Sequence, residues 1–412
     1  MINRHIKTQI NEAIKHFPVV IVTGPRQVGK STLLYNEFVK SGYNYVSLDD
    51  ISERNLAINS PKTFLDNNPC PLIIDEAQKA PELFDEIEKN INQVRLKKGN
   101  KAAAGMYIIS GSTRHMLLEK AEESLAGRCA IISMFPLSIA EIYKNDNHSF
   151  LSDLSEINKR TKKTGLELDK IYKLIIKGFL PFLYDDKKAN TSLFYSSYIN
   201  TYLEKDLRDI LDISDELKFI NFFKLLASNV SQELVYDNYS KDVGVDSKTI
   251  KAWISALVKT GVVYLIEPYN ENSIKKRIVK RPKLYFFDTG LVCHLLGIDS
   301  EKTLINSFLK GRIFENAAIN EIKKSFINNG VNQTLYYYRD SNKNEIDLVY
   351  VNDGKLNRIE IKAGTNFSIN DVSSFKQLDA TKWKIGNKAI VCTIDKLSAI
   401  DNDVYLIPIS SI

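Results

Sequence analysis

The run Val19-Val20-Ile21-Val22-Thr23, followed by Gly24-Pro25-Arg26-Gln27-Val28-Gly29-Lys30-Ser31-Thr32, restricts this chain more than any other stretch. A continuous β-branched apolar segment reads as a buried strand. It breaks at Gly24, and from Thr32-Leu33-Leu34-Tyr35 onward the pattern turns helical. The spacing G-x-x-x-x-G-K-S between a strand and a helix belongs to a loop whose backbone N–H groups wrap a phosphate at a helix N-terminus. Glycines leave the backbone unobstructed, Lys30 reaches the β- and γ-phosphates, and the Ser31 hydroxyl binds Mg²⁺. ATP and Mg²⁺ are the cofactors this stretch implies, with Gly24 through Thr32 as nucleotide-binding residues.

A second element is needed for hydrolysis. Pro71-Leu72-Ile73-Ile74-Asp75-Glu76 supplies it, an apolar strand ending in two carboxylates. Asp75 is expected to support the metal and Glu76 to polarise the attacking water, which with Lys30 makes the catalytic set. The strand Met106-Tyr107-Ile108-Ile109-Ser110 runs into Gly111-Ser112, and Ser112 is the candidate sensor of the γ-phosphate. Phosphoryl transfer also draws on an arginine donated from a neighbour. Arg128, just before the strand Cys129–Met134, is the first candidate for it, and Arg114 the second.

These residues, with Ala77-Gln78, Ser124-Leu125-Ala126-Gly127-Arg128 and Pro136-Leu137-Ser138, resemble an uncharacterised family of bacterial and archaeal AAA+ ATPases that join such a motor to a C-terminal domain of unknown function. The resemblance extends through Gly178-Phe179-Leu180-Pro181, Tyr202-Leu203-Glu204-Lys205-Asp206 and Leu284-Tyr285-Phe286-Phe287-Asp288-Thr289-Gly290, and so covers nearly the whole chain. It implies a ring or filament, that is, a homo-oligomer. Where the family commonly has arginine before that aspartate the chain has Lys205, which removes a bidentate phosphate contact.

With 412 residues the chain exceeds one ordinary core. The expected fold class is α/β: an AAA+ P-loop parallel-sheet domain over residues 1–145, a helical lid over 146–215, a winged helix-turn-helix over 216–290, and a restriction-endonuclease-like α/β domain over 291–412. The 56 basic and 50 acidic residues give a formal charge of only +6, which permits nucleic acid without demanding it. Cys70, Cys129, Cys293 and Cys392 are scattered singly in apolar surroundings and read as reduced core residues. The N-terminal residues lack a signal-peptide apolar region, and no apolar run is long enough to cross a bilayer, so a cytoplasmic location without a membrane partner is expected.

Helical patterns at 219–230, 236–243 and 247–257 lead into the strand Gly261–Ile266. Ser247 is the expected N-cap of the last helix. The hairpin that follows carries Lys275, Lys276, Arg277, Lys280, Arg281 and Lys283, the densest basic cluster in the chain, and reads as a DNA-contacting wing.

In the C-terminal part, a helix near Leu309–Phe326 places Glu315 on its apolar stripe, where a carboxylate needs a partner. Strands follow at 335–339, 345–350 and 358–362, with Asn352-Asp353-Gly354-Lys355 as a hairpin turn. Counting back from Asp353-Gly354 sets Asp347 opposite Glu360, with Lys362 on the same side. This pattern resembles the PD-(D/E)XK nuclease core. The resemblance implies a Mg²⁺ or Mn²⁺ site at Glu315, Asp347 and Glu360, with Lys362 catalytic. The sequence therefore supports an ATP-hydrolysing protein acting on DNA, with metal-dependent cleavage as one outcome. A nucleotide-gated switch or interaction protein, whose C-terminal domain docks a partner and cuts nothing, is the alternative.

Overall fold

The computed structural model describes residues 2–111, 123–151, 154–164, 166–186, 188–202, 216–271, 281–401 and 403–412. The chain divides into two units, one of residues 4–136 and 259–261, the other centred on 137–258 and 262–412.

The first unit is built on β1 (Val19–Thr23), β2 (Asn44–Ser47), β3 (Leu72–Asp75), β4 (Tyr107–Gly111) and β5 (Cys129–Ser133). All pairings are parallel and the order is β2-β3-β4-β1-β5. A parallel sheet is covered on both faces, and the near-continuous apolar strands β1, β3 and β4 are buried along their whole length. One layer of this core joins Val19, Ile21, Leu72, Ile74, Tyr107 and Ile109 to Leu83, Phe84, Ile87 and Ile91 of the helix Leu83–Lys98. Each such side chain contributes ~1.5–3 kcal/mol on burial. In this order β4 sits between β3 and β1, so the phosphate-loop strand and the two-carboxylate strand flank it.

The second unit carries helices and an eight-stranded mixed sheet in the order β12-β13-β11-β10-β9-β8-β6-β7. Its strands are β6 (Val263–Pro268), β7 (Lys283–Phe286), β8 (Tyr336–Arg339), β9 (Glu345–Asn352), β10 (Lys355–Lys362), β11 (Lys384–Cys392), β12 (Ser398–Asp401) and β13 (Val404–Pro408). The β9–β10 turn has Asp353 at φ 48° and Gly354 at φ 70°, the two left-handed residues a type I′ hairpin requires. Its register runs from Lys355 opposite Asn352 to Ile359 opposite Leu348.

The hairpin β6–β7 is an arm of this larger sheet, since β6 pairs with β8 at Glu267 and Pro268. Four-residue β7 ends the sheet, and its backbone is already engaged. Leu284 exchanges bonds with Ser231 and Gln232, while Asn316 and Asn320 of the helix Lys310–Asn328 bond Phe286.

Helices Tyr236–Val243 and Ser247–Lys259 flank a left-handed Gly244. Ser247 does not cap the second. Its hydroxyl donates to Asp237 at 2.7 Å, and the Asp246 carboxylate instead accepts from the Thr249 N–H at 2.7 Å, because aspartate one residue earlier already has the geometry of an N-cap. Cys293 and Cys392 are buried, whereas Cys70 is exposed ahead of β3, contrary to the core position expected for it.

Candidate functional site

At the end of β1 the chain turns at Gly24, φ 149°, where a Cβ would lie 2.1 Å from the carbonyl oxygen of Met134. Gln27 at φ 61° and Gly29 at φ 88° also take left-handed backbone, which curls the loop before the helix Lys30–Phe38 begins. Val28 is fully buried. Arg4, which sequence reasoning passed over, braces the loop from behind by donating to the carbonyls of Val28 and Phe135, each at 2.6 Å. Lys30 donates to the carbonyls of Gly24 and Pro25, each at 2.8 Å. The buried Thr23 hydroxyl has no partner among the described residues. A collar of left-handed residues, a glycine without room for a side chain, and an ammonium resting on loop carbonyls fit a triphosphate, whose oxygens would take over those carbonyls' role. Ser31 and Thr32 open the helix next to Lys30.

Asp75 ends β3 and is 4% exposed. The Ser110 hydroxyl from β4 donates to its Oδ1, and the Tyr45 hydroxyl from β2 donates to its Oδ2 at 2.8 Å. Glu76 follows in left-handed backbone, φ 54°, and its carboxylate accepts from the Gln78 amide. Ser110 and Tyr45 were not singled out from the sequence. Their signal is positional, since both lie on strands that border β3 at its carboxylate end.

Ser112 and Arg114 lie outside the described residues. Arg128 precedes β5 at the end where β1 begins, its carbonyl accepting from the Val19 N–H at 3.2 Å. Five residues of strand, ~16 Å, separate it from the loop. Its guanidinium pairs with Glu88 at 3.0 Å.

In the second unit Asp347 and Glu360 are brought near one another, as counting from the turn expects, and Glu315 lies close to Asp347. Among the described residues no group of His, Cys, Asp or Glu is arranged to hold a metal ion. The cation present among these acids is Lys283. Its ammonium, 2% exposed, pairs with Glu315 at 3.1 Å, with Glu345, and with Asp347 at 3.8 Å. Glu315 also accepts from Tyr285 at 2.7 Å. Burial pushes the ammonium toward losing its proton, but Glu315, Asp347 and Glu345 outweigh that and hold it well above the usual lysine range.

Burial and the Asp347 charge push the Glu360 carboxyl up to about 10, so it keeps its proton beside Asp347, and Ser374 donates to it at 3.0 Å. Burial pushes Glu315 up to about 7 against the pull of Lys283. Asp347 accepts from the Ile361 N–H at 2.8 Å. Lys362 pairs with Asp371 at 3.9 Å, and its charge also acts on Glu360.

Lys283 is therefore corrected from wing contact to buried counter-ion. It alternates with Leu284, so Lys283 and Tyr285 face the same side as Glu315. Arg281 is exposed, while Lys275, Lys276, Arg277 and Lys280 lie outside the described residues.

Residues 16–143 match the family described as AAA domain. This segment is an AAA-type P-loop ATPase domain. Beyond it, residues 168–302 match a domain of unknown function (DUF8612) and residues 310–412 another (DUF4143). An uncharacterized protein of Mycobacterium tuberculosis is 26% identical over 370 residues, covering 89% of this chain and 75% of its own length. One of Methanocaldococcus jannaschii is 24% identical over 385 residues, covering 86% and 76%. Among solved structures, the Walker-type ATPase of Pyrococcus abyssi aligns over 70% of this chain and 94% of its own, at 13% identity and a TM-score of 0.41. No helix among the described residues is long and apolar enough to cross a membrane.

Proposed function

We propose that this chain binds Mg·ATP, hydrolyses it, and couples the cycle to DNA. The observation that carries the hydrolysis is the placement of Asp75 and Glu76 at the end of β3, one strand away from the phosphate loop on the same edge of a parallel sheet. Magnesium, when bound, neutralises phosphate charge. Ser31 and Asp75 would hold it, Lys30 would bind the phosphates, and Glu76, once released by Gln78, would orient the attacking water. Arg128 is too far from its own loop and would serve a neighbouring copy, which makes a homo-oligomer part of the reading. Helices Tyr236–Val243 and Ser247–Lys259, joined through Gly244, and the basic residues of the sequence that follows, Lys275, Lys276, Arg277, Lys280 and Arg281, support duplex binding.

One observation favours a second reading for the C-terminal domain. Lys283 stands as a built-in cation among Glu315, Glu345 and Asp347, which favours a domain that docks a partner without cutting nucleic acid. ATP turnover by wild type and Glu76→Gln is measured with and without duplex and single-stranded DNA, beside cleavage of labelled DNA in Mg²⁺ or Mn²⁺. Loss of turnover in Glu76→Gln with DNA stimulation of the wild type supports the reading. A rate indifferent to DNA overturns the coupling, and cleavage lost in Asp347→Ala overturns the docking role.

A further inference from the structure

Tyr45 stands at a position where the chemistry of a phosphate loop demands no tyrosine. It lies on β2 opposite Ile73, two residues before Ser47, which is opposite Asp75. From there its hydroxyl reaches Asp75 Oδ2 at 2.8 Å, while Ser110 takes Oδ1 from the other side. The carboxylate is thus clamped through both oxygens by neutral donors on the two neighbouring strands. Such bonds leave its negative charge intact, unlike an ion pair.

The ring also has a neighbour. It meets the Tyr35 ring edge-on, with centroids 5.2 Å apart and planes at 89°. Tyr35 belongs to the helix that starts at Lys30, one turn and a residue beyond the phosphate-binding lysine.

We propose that Tyr45 is a positioning residue, fixing the Asp75 carboxylate for the nucleotide-bound magnesium and linking its orientation, through Tyr35, to the helix of the phosphate loop. This rests on the ATP reading above. Tyr45 touches neither nucleotide nor metal. It restricts Asp75 to one orientation before Mg·ATP arrives, which reduces the ordering cost of binding.

The test is equilibrium binding of a fluorescent ATP analogue to the full chain as Mg²⁺ is titrated, with thermal unfolding alongside. Tyr45→Phe keeps the ring and its packing and removes only the hydroxyl. Loss of a hydrogen bond to a charged group is expected to raise the half-saturating Mg²⁺ concentration about ten-fold, leaving metal-free nucleotide affinity unchanged. Tyr35→Leu should move it the same way by a smaller factor. An unchanged or lower Mg²⁺ requirement in Tyr45→Phe, with or without a drop in Tm, overturns the positioning role. If the wild type shows no Mg²⁺-dependent binding, the ATP reading itself fails, and the proposal with it.

Discussion

Two groups of carboxylates in this protein are held in opposite ways. Asp75 is buried at a strand end, yet its partners are two hydroxyls, so its charge stays available to an incoming cation. Glu315, Glu345 and Asp347 surround an ammonium the chain supplies itself, and Glu360 keeps a proton. The first arrangement waits for a cation, and the second already holds one of its own. Acidic residues on neighbouring strands are therefore insufficient evidence of a metal site until every cation from the surrounding elements has been placed.

The difference predicts unequal responses to mutation. Lys283→Met should destabilise by ~3–5 kcal/mol, because it strands buried carboxylates, and Glu315→Gln in the same chain should recover part of the loss. Chemical denaturation measures both, and a cost below ~1 kcal/mol would erase the contrast.

Next in size is a pH effect. Glu360 titrates at about 10 when folded, against an ordinary 4.5, so between those values the unfolded chain binds fewer protons and stability falls as pH rises. Glu315 adds a narrower window, from 4.5 to about 7. Glu360→Gln, which imitates the protonated carboxyl, should flatten the upper part of the profile and raise Tm at pH 8, and an unaltered profile would show that Glu360 is ionised in the fold.

Asp75→Asn should change stability by less than ~1 kcal/mol, since its amide oxygen still accepts one hydroxyl, while removing Mg²⁺-dependent nucleotide binding. A large loss of stability there would make the two clusters alike. Gly354→Ala should cost ~1 kcal/mol in chemical denaturation and leave nucleotide binding untouched, because it strains the left-handed turn setting Asp347 against Glu360.

The phosphate loop is legible in sequence because its requirements are local: spacing, glycines, and a strand and helix on either side. The β9–β10 register is legible for the same reason, as one turn fixes it. Lys283 was not, since its role depends on a helix and a strand that come 32 and 62 residues later, at Glu315 and Glu345. A useful signal was present all the same: Glu315 on an apolar stripe demanded a cation, and Lys283 alternates with apolar Leu284.

Gly178 and Asp288-Thr289-Gly290, which carried the family resemblance, turn out to be a packing device. Asp288 accepts from Tyr195 and the Phe179 N–H, each at 2.6 Å, and a Cβ at Gly178 would lie 2.0 Å from that hydroxyl. Those segments meet in tight quarters, where a side chain on either glycine would collide with Tyr195.

The large sheet has two margins, β7 and β12. At β7, loop 231–232 and the two asparagines have taken up the polar backbone that a foreign strand would seek. At the opposite margin the four-residue β12 leaves Ser398 and Ala399 exposed, so the two ends of one sheet are finished differently among the described residues.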